Sequence, residues 1–231
     1  MPNSNLKNKP LNMKPAARLF LIFALVISLA AVGCRNADQQ VNQTDQPVMT
    51  NSIEHFIKLP LCRQATDYTC GAAALQSILY YYGNEYDEGT LAADLKSDPD
   101  LGTNYRNIMD FAEAQGLQAE SRTDMTINDL EADVRAGKPV IVALQAWSEN
   151  PDTYSDDWND GHYAVVVGYD NNRIYFMDPL QLGNYTYIIT SEFLARWHDT
   201  DNDNVTVLNH FGVVIWGDKS GYDPSIVIAL G

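Results

Sequence analysis

Cys70 is the residue best suited to covalent chemistry in this chain of 231 residues. It begins the segment Cys70 to Tyr82, where apolar residues recur at helical spacing, and Gly83 follows as a stop signal. A thiolate in the first turn of a helix is stabilised by unpaired backbone N–H groups and by the positive end of the helix dipole. Cys70 is therefore a candidate nucleophile at neutral pH, although a cysteine in a buried helix is commonly structural.

His162 and Asp178 form a second candidate pair, because one hairpin would bring them together. If Asp170-Asn171 is a two-residue turn between two strands, His162 lies opposite Pro179 and one step from Asp178. A carboxylate beside an imidazole orients the ring and fixes its tautomer. The pair predicts a general base with its orienting group; the alternative is a core histidine at a strand start and a turn aspartate.

Gln64 lies six residues before Cys70, on the loop that leads into the helix. Its amide N–H₂ group could point at the oxygen of an attacked carbonyl and complete an oxyanion hole with the Cys70 backbone N–H. A lone glutamine is commonly a surface residue, so this role depends on the cysteine and the histidine.

Three longer motifs contain these residues. They are Gln64-Ala-Thr-Asp-Tyr-Thr-Cys70-Gly-Ala-Ala-Ala-Leu-Gln-Ser-Ile-Leu-Tyr-Tyr-Tyr-Gly83, Gly161-His162-Tyr-Ala-Val-Val-Val-Gly168-Tyr and Met177-Asp178-Pro179. Together they resemble the bacteriocin-processing, double-glycine peptidase-like family of the papain-like cysteine peptidase superfamily, over about Leu59 to Trp216. The resemblance implies that Gln64 serves the oxyanion hole, Cys70 is the nucleophile, His162 is the base and Asp178 orients it. Members that process bacteriocins precede a membrane transporter and an ATPase, which are not expected here, so the fold and chemistry transfer but the substrate does not.

The elements that must position these residues change period along the chain. Helices are predicted over Cys70–Tyr82, Glu88–Lys96, Asn104–Gln115, Thr126–Ala136 and Ser191–Trp197. Strands are predicted over Val140–Trp147, Tyr163–Gly168, Arg173–Asp178, Tyr185–Ile189 and Val213–Trp216. Asp67 and Thr69 are plausible caps for the first helix. The prediction is an α+β, papain-like fold, with an N-terminal helical lobe carrying the cysteine and a C-terminal antiparallel sheet carrying the histidine and aspartate.

The first third of the chain predicts export. Residues 1–33 combine a basic start with an uncharged apolar run, Leu19 to Val32, that is short for a membrane span. Ala31-Val32-Gly33-Cys34 resembles a lipobox, which implies acylation of Cys34 and a lipid anchor. Ordinary signal cleavage, or an uncleaved short anchor helix, are the alternatives.

These features divide the chain into four parts. Residues 34–52 form a polar tether after the signal, 53–217 the peptidase domain and 218–231 a C-terminal tail. The expected location is the extracytoplasmic face of the cell envelope, with membrane contact through the lipid alone. A net charge of −15 argues against a nucleic-acid partner, because an acidic surface repels phosphate.

Other candidate sites are weaker. Asp199-Thr-Asp201-Asn-Asp203-Asn resembles the start of a calcium loop, but Asn204 and His210 replace its glycine and its glutamate, so a solvated acidic loop is expected. The acidic segment Asp152–Asp160 is expected to be a soluble loop, or else a cleft rim that selects basic substrates. Histidine spacing predicts no zinc site, and no cofactor is expected.

The expected function is that of a cysteine peptidase acting on a peptide or protein through a thioester acyl-enzyme. Water would make the reaction a hydrolysis, whereas an amine would make it a transpeptidation or acyl transfer. The alternatives of another class are a catalytically silent peptide-binding domain and a structural lipoprotein in which Cys62 and Cys70 form a disulfide.

Overall fold

A computed structural model describes residues 49–53, 55–148, 151–181, 183–218 and 221–230. The chain divides into residues Met1–Gln46, which lie outside the described part, and a compact unit, Pro47–Gly231. The predicted signal, the acylated Cys34 and most of the tether therefore lie outside the described residues and stay predictions. None of the helices in the described ranges has the length and hydrophobicity that crossing a membrane requires.

The helices match the predicted ones closely. They are α1 (Cys70–Tyr81), α2 (Glu88–Asp94), α3 (Tyr105–Ala114), α4 (Ile127–Arg135) and α5 (Thr190–Arg196), with short 3-10 turns at Thr50–Ser52 and Pro151–Asp156. Helix α4 begins with a capping box, in which Thr126 and Asp129 bond each other's backbone N–H groups. Each helix ends within two residues of its predicted limit, because glycine and cap signals are local in the sequence.

The strands form an antiparallel sheet in the order β2-β9-β3-β4-β5-β6, with β1 paired to the far end of β4. They are β1 (His55–Phe56), β2 (Gln118–Arg122), β3 (Val140–Gln145), β4 (Gly161–Tyr169), β5 (Arg173–Met177), β6 (Thr186–Ile189), β7 (His198–Thr200), β8 (Val207–Asn209) and β9 (Gly212–Trp216). Strands β7 and β8 form a separate two-stranded ladder. The result is a mixed α/β fold built on an antiparallel sheet. Four strands were missed: β1, β2, β7 and β8.

Helix α1 carries apolar residues on nearly all sides, and the surrounding structure covers it. Ten of its twelve residues are buried, from Cys70 to Leu79. The helix packs on β4, and α2 and α3 lie against it. A helix that is apolar around its circumference is expected to be buried. The packing fixes Cys70 relative to the strand that carries His162.

The predicted register of the β4–β5 hairpin is wrong. Three residues, 170–172, separate the two strands instead of two. The register then shifts by one residue, because a β-bulge lies between Val166 and Gly168. The observed pairs are Val165–Met177, Val166–Phe176, Gly168–Tyr175 and Tyr169–Ile174.

The bulge decides which face of the sheet Asp178 occupies. Continued past Met177, the observed register places Asp178 opposite Ala164, and hence on the same face as His162. The predicted pairing would have placed Asp178 opposite Tyr163, with its side chain on the other face, since a one-residue slip inverts every side chain. The meeting of His162 and Asp178 thus depends on the extra residue in β4.

Candidate active site

Cys70 is the first residue of α1, and only 8% of its surface is exposed. Thr69 occupies the cap position, but its side chain makes no capping bond. Its hydroxyl is instead engaged with Thr66, from whose backbone N–H it accepts at 3.2 Å. The Thr69 hydroxyl therefore does not cap α1. The positive end of the helix is left to act on the sulfur of Cys70.

His162 lies near the start of β4 and is bonded to Asp178. Its Nε2 donates to Asp178 Oδ1 at 2.9 Å, since a carboxylate can only accept. The same Oδ1 accepts the backbone N–H of Leu180 at 2.9 Å, which holds the carboxylate in place. With Nε2 committed to Asp178, Nδ1 is the nitrogen that can serve Cys70, to which His162 is hydrogen-bonded.

The cysteine and the histidine perturb each other's pKa. Burial raises the pKa of the Cys70 thiol, but the hydrogen bond and charge of His162 and the backbone N–H groups of Tyr163 and Gly71 outweigh it and leave the pKa lowered. Burial lowers the pKa of His162, but Asp178 and Cys70 outweigh it and raise the pKa to about 10. Both shifts favour the thiolate–imidazolium form of the pair over the neutral thiol and imidazole.

Gln64 is buried, and its backbone lies against the segment that follows Asp178. Its backbone N–H donates to Pro179 O at 3.0 Å, which ties the loop before α1 to the residue after Asp178. Its Nε2 donates to Thr66 O at 2.7 Å, and its buried Oε1 has no hydrogen-bond partner among the described residues. An amide nitrogen carries two N–H groups, so one remains for another acceptor.

Cys62 and Cys70 are both free thiols in this structure, so the disulfide alternative is wrong here. The two cysteines are equally exposed, at 8% each. Burial without a compensating partner raises the pKa of Cys62 to about 12. The comparison shows the combined effect of His162 and the backbone N–H groups of Tyr163 and Gly71, because burial alone would raise the pKa of both thiols.

Gly71 permits the close approach of α1 to the rest of the site. A Cβ on Gly71 would lie 2.7 Å from Thr103 Cβ and 3.1 Å from Tyr163 Cδ2. We expect Gly71→Ala to lower the free energy of unfolding by about 1–3 kcal/mol through overpacking. Gly89→Ala in α2 is the matched control, because its nearest contact is the Asp87 carboxylate at 3.4 Å.

Urea unfolding of the two variants would check this expectation. The Gly89 variant should be unchanged or gain a few tenths of a kcal/mol in helix propensity. Equal effects of the two substitutions would contradict a steric role for Gly71.

A cavity of about 260 Å³ opens beside Cys70 and His162. Its other walls come from the loop before α1, the turn before Thr103, the segment before β4 and the β7–β8 turn. Trp158 and Asn159 belong to the predicted acidic loop Asp152–Asp160 and line the cavity, so part of that loop forms its rim. Asp199 and Asp201 also face it, and sequence reasoning did not connect either with the active site.

The calcium-like segment is not fully solvated, because its carboxylates are bonded within the protein. Asp201 is buried and pairs with Arg106 at 2.6 Å, while Asp203 accepts the backbone N–H groups of Val205 and Thr206. The carboxylates are thus bonded separately instead of converging. Within the described ranges, no three His, Cys, Asp or Glu side chains are grouped to hold a metal.

Comparison with known proteins identifies a matching family. Residues 56–205 match the Peptidase_C39 like family. The chain is 31% identical over 135 residues to the pediocin PA-1 transport/processing ATP-binding protein PedD of Pediococcus acidilactici, covering 58% of this chain but 17% of that protein.

Two solved structures share the fold. The peptidase domain of Streptococcus ComA, a bi-functional ABC transporter, has a TM-score of 0.52 and 23% identity, over 70% of this chain and 99% of that one. A double glycine motif protease from an AMS/PCAT transporter, in complex with the leader peptide, has a TM-score of 0.50 and 20% identity, over 71% and 94%. With the family match over more than half of its residues, this chain belongs to the Peptidase_C39 like family.

Proposed function

We propose that this protein is a cysteine peptidase in which Cys70 is the nucleophile, His162 the general acid and base, and Asp178 the group that orients His162. The observation that carries the proposal is the buried Cys70–His162–Asp178 arrangement, with the pKa of the thiol lowered and that of the imidazole raised. Thiolate and imidazolium are the protonation states that attack on a carbonyl and protonation of an amine require.

The reaction follows from these positions. The Cys70 sulfur attacks the scissile carbonyl carbon, and the imidazolium of His162 protonates the leaving nitrogen as the C–N bond breaks. Water, deprotonated by His162, then attacks the thioester and releases the acid and the thiolate. The second amide N–H of Gln64 and the Cys70 backbone N–H are the proposed donors to the tetrahedral oxyanion.

The proposed substrate is a peptide. A second cavity of about 490 Å³ borders His162 and Asp178, and its wall includes the apolar side chains of Leu144, Ala164 and Phe176. A site with a polar reacting centre and an apolar neighbour suits an extended peptide. The complex of the AMS/PCAT protease with its leader peptide supports the same class of substrate.

The proposed location is the extracytoplasmic face of the cell envelope, with Cys34 as the lipid anchor. It rests on the apolar run of residues 19–32 and the lipobox-like Ala31-Val32-Gly33-Cys34.

Selective alkylation of Cys70 in the wild-type protein tests the activated pair. At pH 6, iodoacetamide should label Cys70 at least about 100-fold faster than Cys62, because only Cys70 is paired with an imidazole. Peptide mapping by mass spectrometry separates the two cysteines in one sample. Equal, slow labelling of both would remove the basis for the enzyme and leave a peptide-binding domain.

A further inference from the structure

Asp199 is placed directly beside the catalytic histidine's own strand. Its Oδ2 lies 2.5 Å from the position that a Cβ on Gly161 would occupy, and Gly161 immediately precedes His162. The half-buried carboxylate thus uses the space that the glycine leaves open. Both residues line the cavity that contains Cys70. A peptide bound at Cys70 within this cavity would therefore lie close to this carboxylate.

A fully buried amide holds Asp199 in place. Gln145 in β3 has no exposed surface, and its Nε2 donates to Asp199 Oδ1 at 3.3 Å and to His198 O at 3.1 Å. Its Oε1 accepts the backbone N–H of Asp160 at 2.9 Å. The backbone N–H of Thr200 also donates to Asp199 Oδ1, at 2.8 Å. These bonds fix Oδ1 and leave Oδ2 as the oxygen available to a ligand.

Among the described residues, no lysine or arginine balances the charge of Asp199, and the imidazoles of His198 and His162 act on it electrostatically. Asp201, the neighbouring buried acid, is paired with Arg106, but no ion pair involves Asp199 within the described residues. The cavity lining includes no lysine or arginine.

Burial raises the pKa of Asp199 to about 6, although bonds from Thr200 and Gln145 and the charges of His198 and His162 lower it. The carboxylate form predominates above that pH. A partly desolvated anion that has no lysine or arginine partner gains free energy when a cation is brought to it.

We propose that Asp199 determines specificity by binding a cationic nitrogen of the peptide substrate, an ammonium or guanidinium group, in the cavity beside Cys70. This inference rests on the proposed peptidase function, because it assigns the substrate that this site takes. The cation is either a basic side chain near the scissile bond or the free amino terminus of a short peptide.

Charge-selective thiol reagents test the proposal on the full-length protein without a known substrate. In each reagent a methanethiosulfonate sulfur is attacked by the Cys70 thiolate, a mixed disulfide forms and methanesulfinate leaves. The measured quantity is the rate ratio of the trimethylammonioethyl reagent to the neutral methyl reagent, divided by the same ratio for free 2-mercaptoethanol. We expect this normalised ratio to be about 10 at low salt. It should fall in 0.5 M NaCl, because salt screens the attraction between the reagent and Asp199.

Asp199→Asn should bring this ratio close to one. Asp110→Asn removes the same charge from an exposed position on α3 and should leave the ratio unchanged. A double Asp67→Asn, Asp100→Asn variant removes the two exposed carboxylates of the cavity and should retain most of the preference. If the double variant loses the preference for the cationic reagent, or if the wild type has none, Asp199 is not the determinant. These two outcomes do not depend on whether the Asp199 variant folds.

Peptidyl acyloxymethyl ketones distinguish the two sources of the cation. Acetyl-Ala-Lys reacting faster than acetyl-Ala-norleucine indicates a basic side chain, and Ala-norleucine with a free amine reacting faster than its acetylated form indicates an amino terminus. Equal rates for all three would overturn the proposal. Slow reaction of Cys70 with the neutral methyl reagent would instead show that the thiol is not activated, a separate failure that concerns the proposed function.

Discussion

Cys70→Ala and His162→Ala should each reduce peptide-bond hydrolysis by at least about 10⁴-fold, and the double variant should be no slower than either. The reason is that the two side chains form one reactive unit. Without the imidazole, only the backbone N–H groups of Tyr163 and Gly71 oppose the effect of burial on the thiol. At Cys62, burial raises the pKa to about 12. Without the sulfur, His162 has no nucleophile to serve.

The measurement begins with the wild-type protein and a library of bacterial peptides, in which new termini identified by mass spectrometry give a cleaved sequence. Rates on that peptide are then compared among the variants. Cys62→Ala is the control, because it removes an equally buried thiol that has no imidazole partner. Substantial turnover by Cys70→Ala would assign the hydrolysis to other residues.

The sequence predicts the residues of the site and their chemistry, but it does not predict the strand register that brings them together. Cys70 is predicted from a local signal, a helix start, whereas His162 and Asp178 are paired through a predicted hairpin, and the family resemblance implies the roles of all three. The structure brings these three together. The hairpin register failed because a bulge within β4 has no local signature, and a single inserted residue changes the face on which Asp178 lies.

Long-range contacts account for the remaining omissions. Strand β2 is polar, with the sequence Gln-Ala-Glu-Ser-Arg, and exists because its edge pairs with β9. Asp199 is predicted to lie in a solvated loop because the segment lacks the glycine and glutamate of a calcium loop, whereas its position depends on Gln145, which is distant in the sequence. Thr69 was predicted as a cap from its type, but Thr66 competes for its hydroxyl.

Two substitutions of Asp178 should separate its role in orienting the His162 ring from the effect of its negative charge. In Asp178→Asn, an amide oxygen can still accept from His162 Nε2 and from the Leu180 N–H, so the ring keeps its position but loses the negative charge beside it. In Asp178→Ala both bonds disappear and the ring is no longer held. We expect turnover to fall about tenfold for asparagine and about 10²- to 10³-fold for alanine.

The pH profile should show the cause of these losses. Activity needs the thiolate and the imidazolium together, so its alkaline limb follows deprotonation of His162, whose pKa is about 10 in the intact site. Because the bond and charge of Asp178 raise that pKa, removing the carboxylate should move the alkaline limb to lower pH in both variants. Rates on one peptide between pH 5 and 11 would measure the shift. An alkaline limb that stays in place while turnover falls would mean that Asp178 acts on the fold of the hairpin and not on the imidazolium.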